Sequence, residues 1–322
     1  MYLHKAFGLI IESPFDLPAE TLYELAPGQQ VDVTIECQTF LDARRNHHSQ
    51  DCTVSTAPGV IVLRWEDVGE FHLYGGRQVV IHARPGVSTD ILNLFITGSV
   101  FAMLLYQRGM TVLHGSVVAL EDQAVAFVAP KGLGKSSLAL AMQGVGATLI
   151  SDDIVALPTT TPVPKVTTGF AQAKLWPDSL THLGYAPDQH TKLREEVEKR
   201  GVVLNLSEQT QLPLRHIFIL GRSDTLTLLP FNQNHALLTL LPHWYLARYG
   251  TATVQQLGAT ARHFSQCLAL VQNVQVSALV RPDALAELPR VAAAVRDYVL
   301  TGKLPAAYIS ATPSPLLAGI DA

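Results

Sequence analysis

Short runs rich in Val and Ile dominate the first 85 residues. VDVTIEC, VIVLRW, FHLYG and QVVIHA are separated by Pro, Gly and Asp, a spacing that predicts a β-rich block. Between Asp90 and Arg108 the pattern changes to an uncharged apolar run, ILNLFITGSVFAMLLYQ. Ser88-Thr89-Asp90 offers this run an N-cap, so a buried helix is expected over about 89–106. SVVAL and AVAFV follow, joined by Glu121-Asp122-Gln123, and predict a hairpin. After a glycine-containing loop, SLALAMQGVG has helical spacing and stops at Gly144 or Gly146. ATLIS and IVALP then flank Asp152-Asp153, and the Pro/Thr-rich LPTTTPVPKVTTG reads as turn and edge strand. HIFILG and TLTLLP are strand-like, and residues 252–274 and 282–300 have the pattern of closing helices. No internal repeat is present.

This order predicts an α/β protein. A β-rich N-terminal domain is expected over residues 1–88, an α/β domain with a mixed sheet over 89–302, and a loose tail over 303–322.

Composition narrows the class. Of 322 residues, 48% are hydrophobic and 16% charged, which is globular and not disordered. A net charge of −4 gives no basic footprint, so neither nucleic acid nor an anionic membrane is an expected partner. Cys37, Cys52 and Cys267 are too scattered for a disulfide framework and favour a reducing, cytoplasmic setting. The opening MYLHKAFGLIIESPFD lacks the basic and long apolar regions of a signal peptide. The apolar run sits at the lower limit of the roughly 17–25 residues that span a bilayer. It carries Asn93, Thr97, Ser99 and Gln107, which favours a core helix. The His47-His48 pair has no spaced partner and reads as solvated loop, not metal site.

The candidate chemistry begins at residues 129–136, A-P-K-G-L-G-K-S, lying between the strand-like AVAFV and the helical SLALAM. This is the Walker A pattern with Ala129 in place of the first Gly. The candidate nucleotide-binding set is Lys131, Gly132, Leu133, Gly134, Lys135, Ser136 and Ser137. Gly132 and Gly134 let backbone N–H groups turn inward as an anion nest, and the following helix adds its positive end. Lys135 would reach the β/γ-phosphates, and Ser136 would bind Mg²⁺. ATP and Mg²⁺ are therefore the expected cofactors, although a phosphate loop does not read the base.

Asp152-Asp153 follows a strand-like run 16 residues after Ser136, where a metal-binding acid belongs. One carboxylate on Mg²⁺ and one accepting a proton is the division of work that phosphoryl transfer needs. His114 lies on the strand hairpinned to the one that enters the loop, which brings it toward the phosphates. In HTKLREEVEKRG, Lys192 and Arg194 are candidates to stabilise the transferred phosphoryl group. By residue type alone the stretch is a solvated, salt-bridged helix. Trp176-Pro177-Asp178-Ser179 reads as a helix start.

RGMTVLHGSVVAL, APKGLGKSSLAL and LISDDIVAL together resemble the C-terminal domain of HPr serine kinase/phosphorylase. FGLIIESPFDLPAE, LWPDSL and LRHIFIL extend the resemblance to the HPr kinase-like proteins found with ribosomally made peptides, lasso peptide clusters included. The resemblance implies an HPr kinase-type P-loop domain and ATP-dependent phosphorylation of a serine hydroxyl. The implied acceptor is a peptide or small protein, with a lasso-type precursor peptide as one form. Carried over by position, it makes Asp152 the base, His114 its orienting partner and phosphate contact, and Asp153 the Mg²⁺ ligand. It also admits a homo-oligomer. Ser137 stands where the family commonly has Glu, and Lys131 where a small polar residue is usual. A kinase for free serine and a nucleotide-binding regulator are the alternative readings of the same motifs.

Overall fold

Alternation along the first block places one side of each strand in a core. A computed structural model of the chain describes residues 1–39, 52–158, 163–190, 192–194, 197–203, 206–207 and 211–303. His47, His48 and the tail beyond residue 303 lie outside them. The first sheet is built from β1 (Tyr2–Ala6), β2 (Leu9–Ser13), β3 (Glu20–Leu22), β4 (Val33–Thr39), β5 (Thr53–Ala57), β6 (Val60–Trp65), β7 (Gly69–Tyr74) and β8 (Gln78–Ala83). Its order is β3-β1-β2-β4-β8-β7-β6-β5. Ile61, Leu63 and Trp65 of β6, Phe71 and Leu73 of β7, and Val79 and Ile81 of β8 are all buried on one face.

The apolar run covers that face. It forms α1 (Thr89–Phe95) and α2 (Phe101–Gln107), joined by a π-helical turn at Ile96–Val100. Ser88 Oγ accepts from the Ile91 N–H at 3.4 Å and caps α1. Phe95 packs against Trp65 with ring centroids 4.5 Å apart. The 19-residue run has a mean hydropathy of 1.5 in its most apolar window, long and apolar enough to cross a membrane; 67% of that window is buried in the protein.

The second sheet has a different texture. β9 (Thr111–Leu120) and β10 (Gln123–Val128) form the expected hairpin, with Glu121 at φ 55° in the turn. The loop follows, then α3 (Lys135–Ala141) and a 3₁₀ turn that ends at Gly146, φ 90°. β11 (Thr148–Ser151) and β12 (Ile154–Leu157) both lie antiparallel to β9, interrupted at Asp152-Asp153. β13 (Lys165–Thr167) comes next, then β14 (Gln172–Leu175) and α4 (Pro177–His182), with Trp176 at its N-cap. β15 (Lys192–Arg194) and β16 (Val197–Val203) join β14 in a separate three-stranded sheet, ordered β14-β16-β15. The chain closes with β17 (Gln211–Arg222), β18 (Thr227–Pro230), α5 (Gln233–Leu240), α6 (Gly250–Gln256), α7 (Thr260–Val271), β19 (Gln275–Arg281) and α8 (Leu288–Thr301). The main path of the second sheet is β11-β9-β10-β17-β19-β18; β12 also pairs with β9, and β13 with β17.

β9, β10 and β17 are apolar on both faces because helices cover both. Leu138, Leu180, Val291 and Val295 fill one side, and Leu240, Cys267 and Leu270 the other. The result is a mixed α/β protein. Parallel strands β10, β17 and β19 end at one edge, where ligands bind in open α/β sheets.

Two sequence expectations are corrected. Within HTKLREEVEKRG, Lys192–Arg194 and the residues from Val197 onward form strands, because Val197–Val203 pairs on both sides, with β14 and β15, and that pairing overrides helix propensity. The expected helix over 252–274 is broken into α6 and α7 at Gly258, whose φ of 59° is not helical.

Candidate functional site

Val128, at the end of β10, hands the chain into the glycine loop. Gly132 (φ 93°) and Gly134 (φ 79°) take left-handed backbone. Any side chain at Gly134 would also run into the Arg281 guanidinium. Lys135 is only 7% exposed. Its ammonium donates to the carbonyls of Ala129 (2.9 Å) and Pro130 (3.1 Å), both from its own loop. Burial pushes its pKa down to about 8, against the pull of Asp153 and Asp152.

The interruption between β11 and β12 presents both carboxylates to this loop. Asp152 Oδ1 accepts from Ser136 Oγ at 2.9 Å and from Ser116 Oγ at 2.5 Å, and Oδ2 from the Lys174 backbone N–H at 3.2 Å. Asp153 sits at φ 72°, a conformation that costs a non-glycine residue of order 1–3 kcal/mol and clusters at functional sites. That turn aims its carboxylate away from Ser136 and into a ring of donors. His114 Nδ1 lies 3.1 Å from Oδ1, and Arg248 Nη1 3.5 Å from the same oxygen. Tyr245 OH donates to Oδ2 at 3.2 Å, and Lys174 Nζ stands 3.7 Å away. Burial alone would raise the Asp153 pKa, but Lys174, His114 and Arg248 hold it well below the usual carboxylate range.

These groups line one cavity of about 510 Å³. It brings together His114, Lys131, Gly132, Gly134, Lys135, Ser136, Ser137, Asp152 and Asp153. Leu133 is turned to a separate apolar groove with Pro130 and Leu238. The Ser137 hydroxyl is taken by Ser179 Oγ at 3.1 Å, tying α3 to α4. The backbone of Lys192 and Arg194 lies in β15, but their side chains fall outside the described residues. The expected order of the acids also differs from the geometry, since Asp152, not Asp153, stands against Ser136.

Sequence reasoning missed Lys174, Arg248, Tyr245 and Arg281, and passed over Lys199. Arg281 is 4% exposed, its Nε has no hydrogen-bond partner, and its Nη2 reaches the Leu133 carbonyl at 3.4 Å. A buried, partly unpartnered cation beside a glycine loop is suited to an anion. Lys199 lies over the Trp176 ring at 5.6 Å on the cavity wall. A faint signal did exist for two of them: Arg281 breaks an apolar strand at its end, and Arg248 is set among aromatics in WYLARYG.

Metal chemistry is testable against the donor set. Among the described residues no three His, Cys, Asp or Glu side chains converge as metal ligands. One hydroxyl and one carboxylate, Ser136 and Asp152, remain. That set fits Mg²⁺, which keeps several waters and takes one or two protein ligands beside phosphate.

No protein-family model matches the chain, and no curated protein matches it. Among solved structures, it is similar to the Hpr(Ser) kinase/phosphatase from Coxiella burnetii at 12% identity and a TM-score of 0.30. That similarity covers 59% of this chain and 97% of the other. A likeness this distant names neither a reaction nor a substrate for this chain.

Proposed function

We propose that the protein is a Mg·ATP-dependent kinase that transfers the γ-phosphoryl group to a serine hydroxyl of a peptide or small protein. The observation that carries this reading is the divergence of two adjacent carboxylates in one cavity. Asp152 meets the Ser136 hydroxyl, and Asp153 meets a cationic ring that includes His114. Phosphoryl transfer needs one acid for metal and one for the acceptor proton, and a cavity rich in cations for the phosphates.

Lys135 would leave the Ala129 and Pro130 carbonyls for phosphate oxygens, with Arg281 and Lys131 beside it. Bound magnesium, held by Ser136 and Asp152, would neutralise phosphate charge. Asp153, kept ionised by its neighbours, accepts the proton of the attacking hydroxyl. The hydroxyl oxygen bonds to the γ-phosphorus as the bond to the β,γ-bridging oxygen breaks, and ADP leaves. His114 and Tyr245 fix the direction of the Asp153 carboxylate, and Arg248 and Lys174 face the charge that spreads over the phosphoryl oxygens. In this reading the roles that the family resemblance implied for the two acids are exchanged.

The test uses ATP labelled at the γ-position, Mg²⁺, and a panel of Ser-containing peptides, a small protein and free serine. Label should move to a peptide or protein serine, and Lys135→Ala should abolish transfer and weaken ATP binding about 10–100-fold, the loss of a charged hydrogen bond. Label on free serine alone would shift the acceptor class to small molecules. ATP binding untouched by Lys135→Ala in a folded protein would sink the reading.

A further inference from the structure

The helix that covers the first sheet has a second face. Ile96, Val100 and Phe101 are buried in the first core, while Leu94, Gly98 and Ser99 line the cavity of the second block, and Phe95 borders both. The π-helical turn at Ile96–Val100 makes this division possible, because one extra residue per turn re-aims the side chains that follow, a device common at functional sites.

Gly98 passes close to Asp153 and Lys174. A Cβ there would stand 3.1 Å from Asp153 Oδ2, 3.1 Å from Lys174 Nζ and 3.8 Å from Tyr245 OH. Lys174 Nζ also donates to the Leu94 carbonyl at 3.4 Å, so this wall holds the ammonium as well as making room for it. Backbone conformation does not require glycine at this position, since Gly98 is absent from the positive-φ residues. Glycine inside a helix is disfavoured relative to alanine, so its presence here calls for a spatial reason.

We infer that Gly98 is a positioning residue of the acceptor side of the site. It keeps the Asp153 carboxylate and the Lys174 ammonium together with open space beside them, where an acceptor hydroxyl approaches past Leu94. The helix that covers the first sheet thereby supplies one wall of the reaction cavity. This rests on the kinase reading above, which assigns Asp153 to the acceptor.

Gly98→Ala in the full chain tests it with two readouts. The first is amine labelling of Lys174, followed by mass spectrometry. Displacement of Nζ from Asp153 and Leu94 should raise its labelling rate severalfold, and this needs no acceptor. The second is transfer to the best acceptor. Here kcat/KM should fall at least tenfold while ATP affinity stays within twofold and Tm does not drop. Ile96→Val, on the sheet-facing side, is the packing control and should lower Tm while leaving kcat/KM unchanged. Wild-type labelling of Lys174, wild-type kcat/KM, or activity lost only in step with folded fraction would each overturn the inference. Absence of transfer by the wild-type chain would count against the kinase reading, and the labelling arm alone would then decide whether Gly98 positions Lys174.

Discussion

The two large sheets bury apolar residues in different ways, and only one of them carries candidate chemistry. In the first, β6 to β8 alternate between a buried and an outward face, and a single helical layer covers the buried one. In the second, β9, β10 and β17 bury apolar residues on both faces over most of their length, and helices pack on both sides. A doubly covered sheet leaves polar groups one place to converge, the edge where its parallel strands end. The glycine loop, Arg222 and Arg281 are all at that edge, and the interruption between β11 and β12 adds Asp152 and Asp153. The first sheet also has parallel neighbours, β2, β4 and β8, but no residue of these strands lines the cavity. Its contribution reaches the cavity indirectly, through the helix that covers it.

If this contrast holds, the two regions fail differently when damaged. Leu63→Ala hollows the first core, where Leu63 is fully buried, and should cost about 2–5 kcal/mol of stability. Denaturant unfolding measures the loss. The folded fraction should keep wild-type ATP affinity, and a large change in affinity would mean that the first block bears on the phosphate loop directly. A smaller, sharper test uses pH. Lys135 has a pKa near 8 in the free protein because it is buried, and phosphate binding favours its charged form. The ratio of wild-type to Lys135→Arg affinity for inorganic triphosphate without metal, in which the ligand's own titration cancels, should be flat below pH 8 and fall as the pH rises through 8, by roughly tenfold for one unit above it. Lys135→Arg keeps its charge across this range, so its own profile follows the ligand alone. Calorimetric titration at several pH values reads both curves.

The difference between the regions also explains what the chain discloses by itself. Strand–loop–helix order, the β9–β10 hairpin and the strands of the first sheet follow from periodicity and turn residues within short windows. The cations around Asp153 do not, because each is delivered by pairing over long separations. Lys174 reaches both acids from β14, donating its backbone N–H to Asp152 while its ammonium faces Asp153. Arg248 and Tyr245 come from a 3₁₀ turn more than 90 residues downstream. The different directions of the two acids were also hidden, since two adjacent Asp residues look alike in sequence and only the φ of Asp153 separates them. HTKLREEVEKRG reads as helix because its charges suit one, and pairing in the three-stranded sheet decides otherwise for Lys192–Arg194 and from Val197 onward.

The division of work between the two acids is the central claim, and paired variants test it most directly. Asp152→Asn and Asp153→Asn would be compared for the Mg²⁺ concentration that half-saturates ATP binding and for the rate of transfer at saturating Mg²⁺. Asp153→Asn should leave the Mg²⁺ requirement unchanged and cut transfer by about 10²–10⁴. Asp152→Asn should raise the Mg²⁺ requirement well above wild type. The opposite pattern, with Asp153→Asn disturbing Mg²⁺ dependence and Asp152→Asn sparing it, would contradict the account.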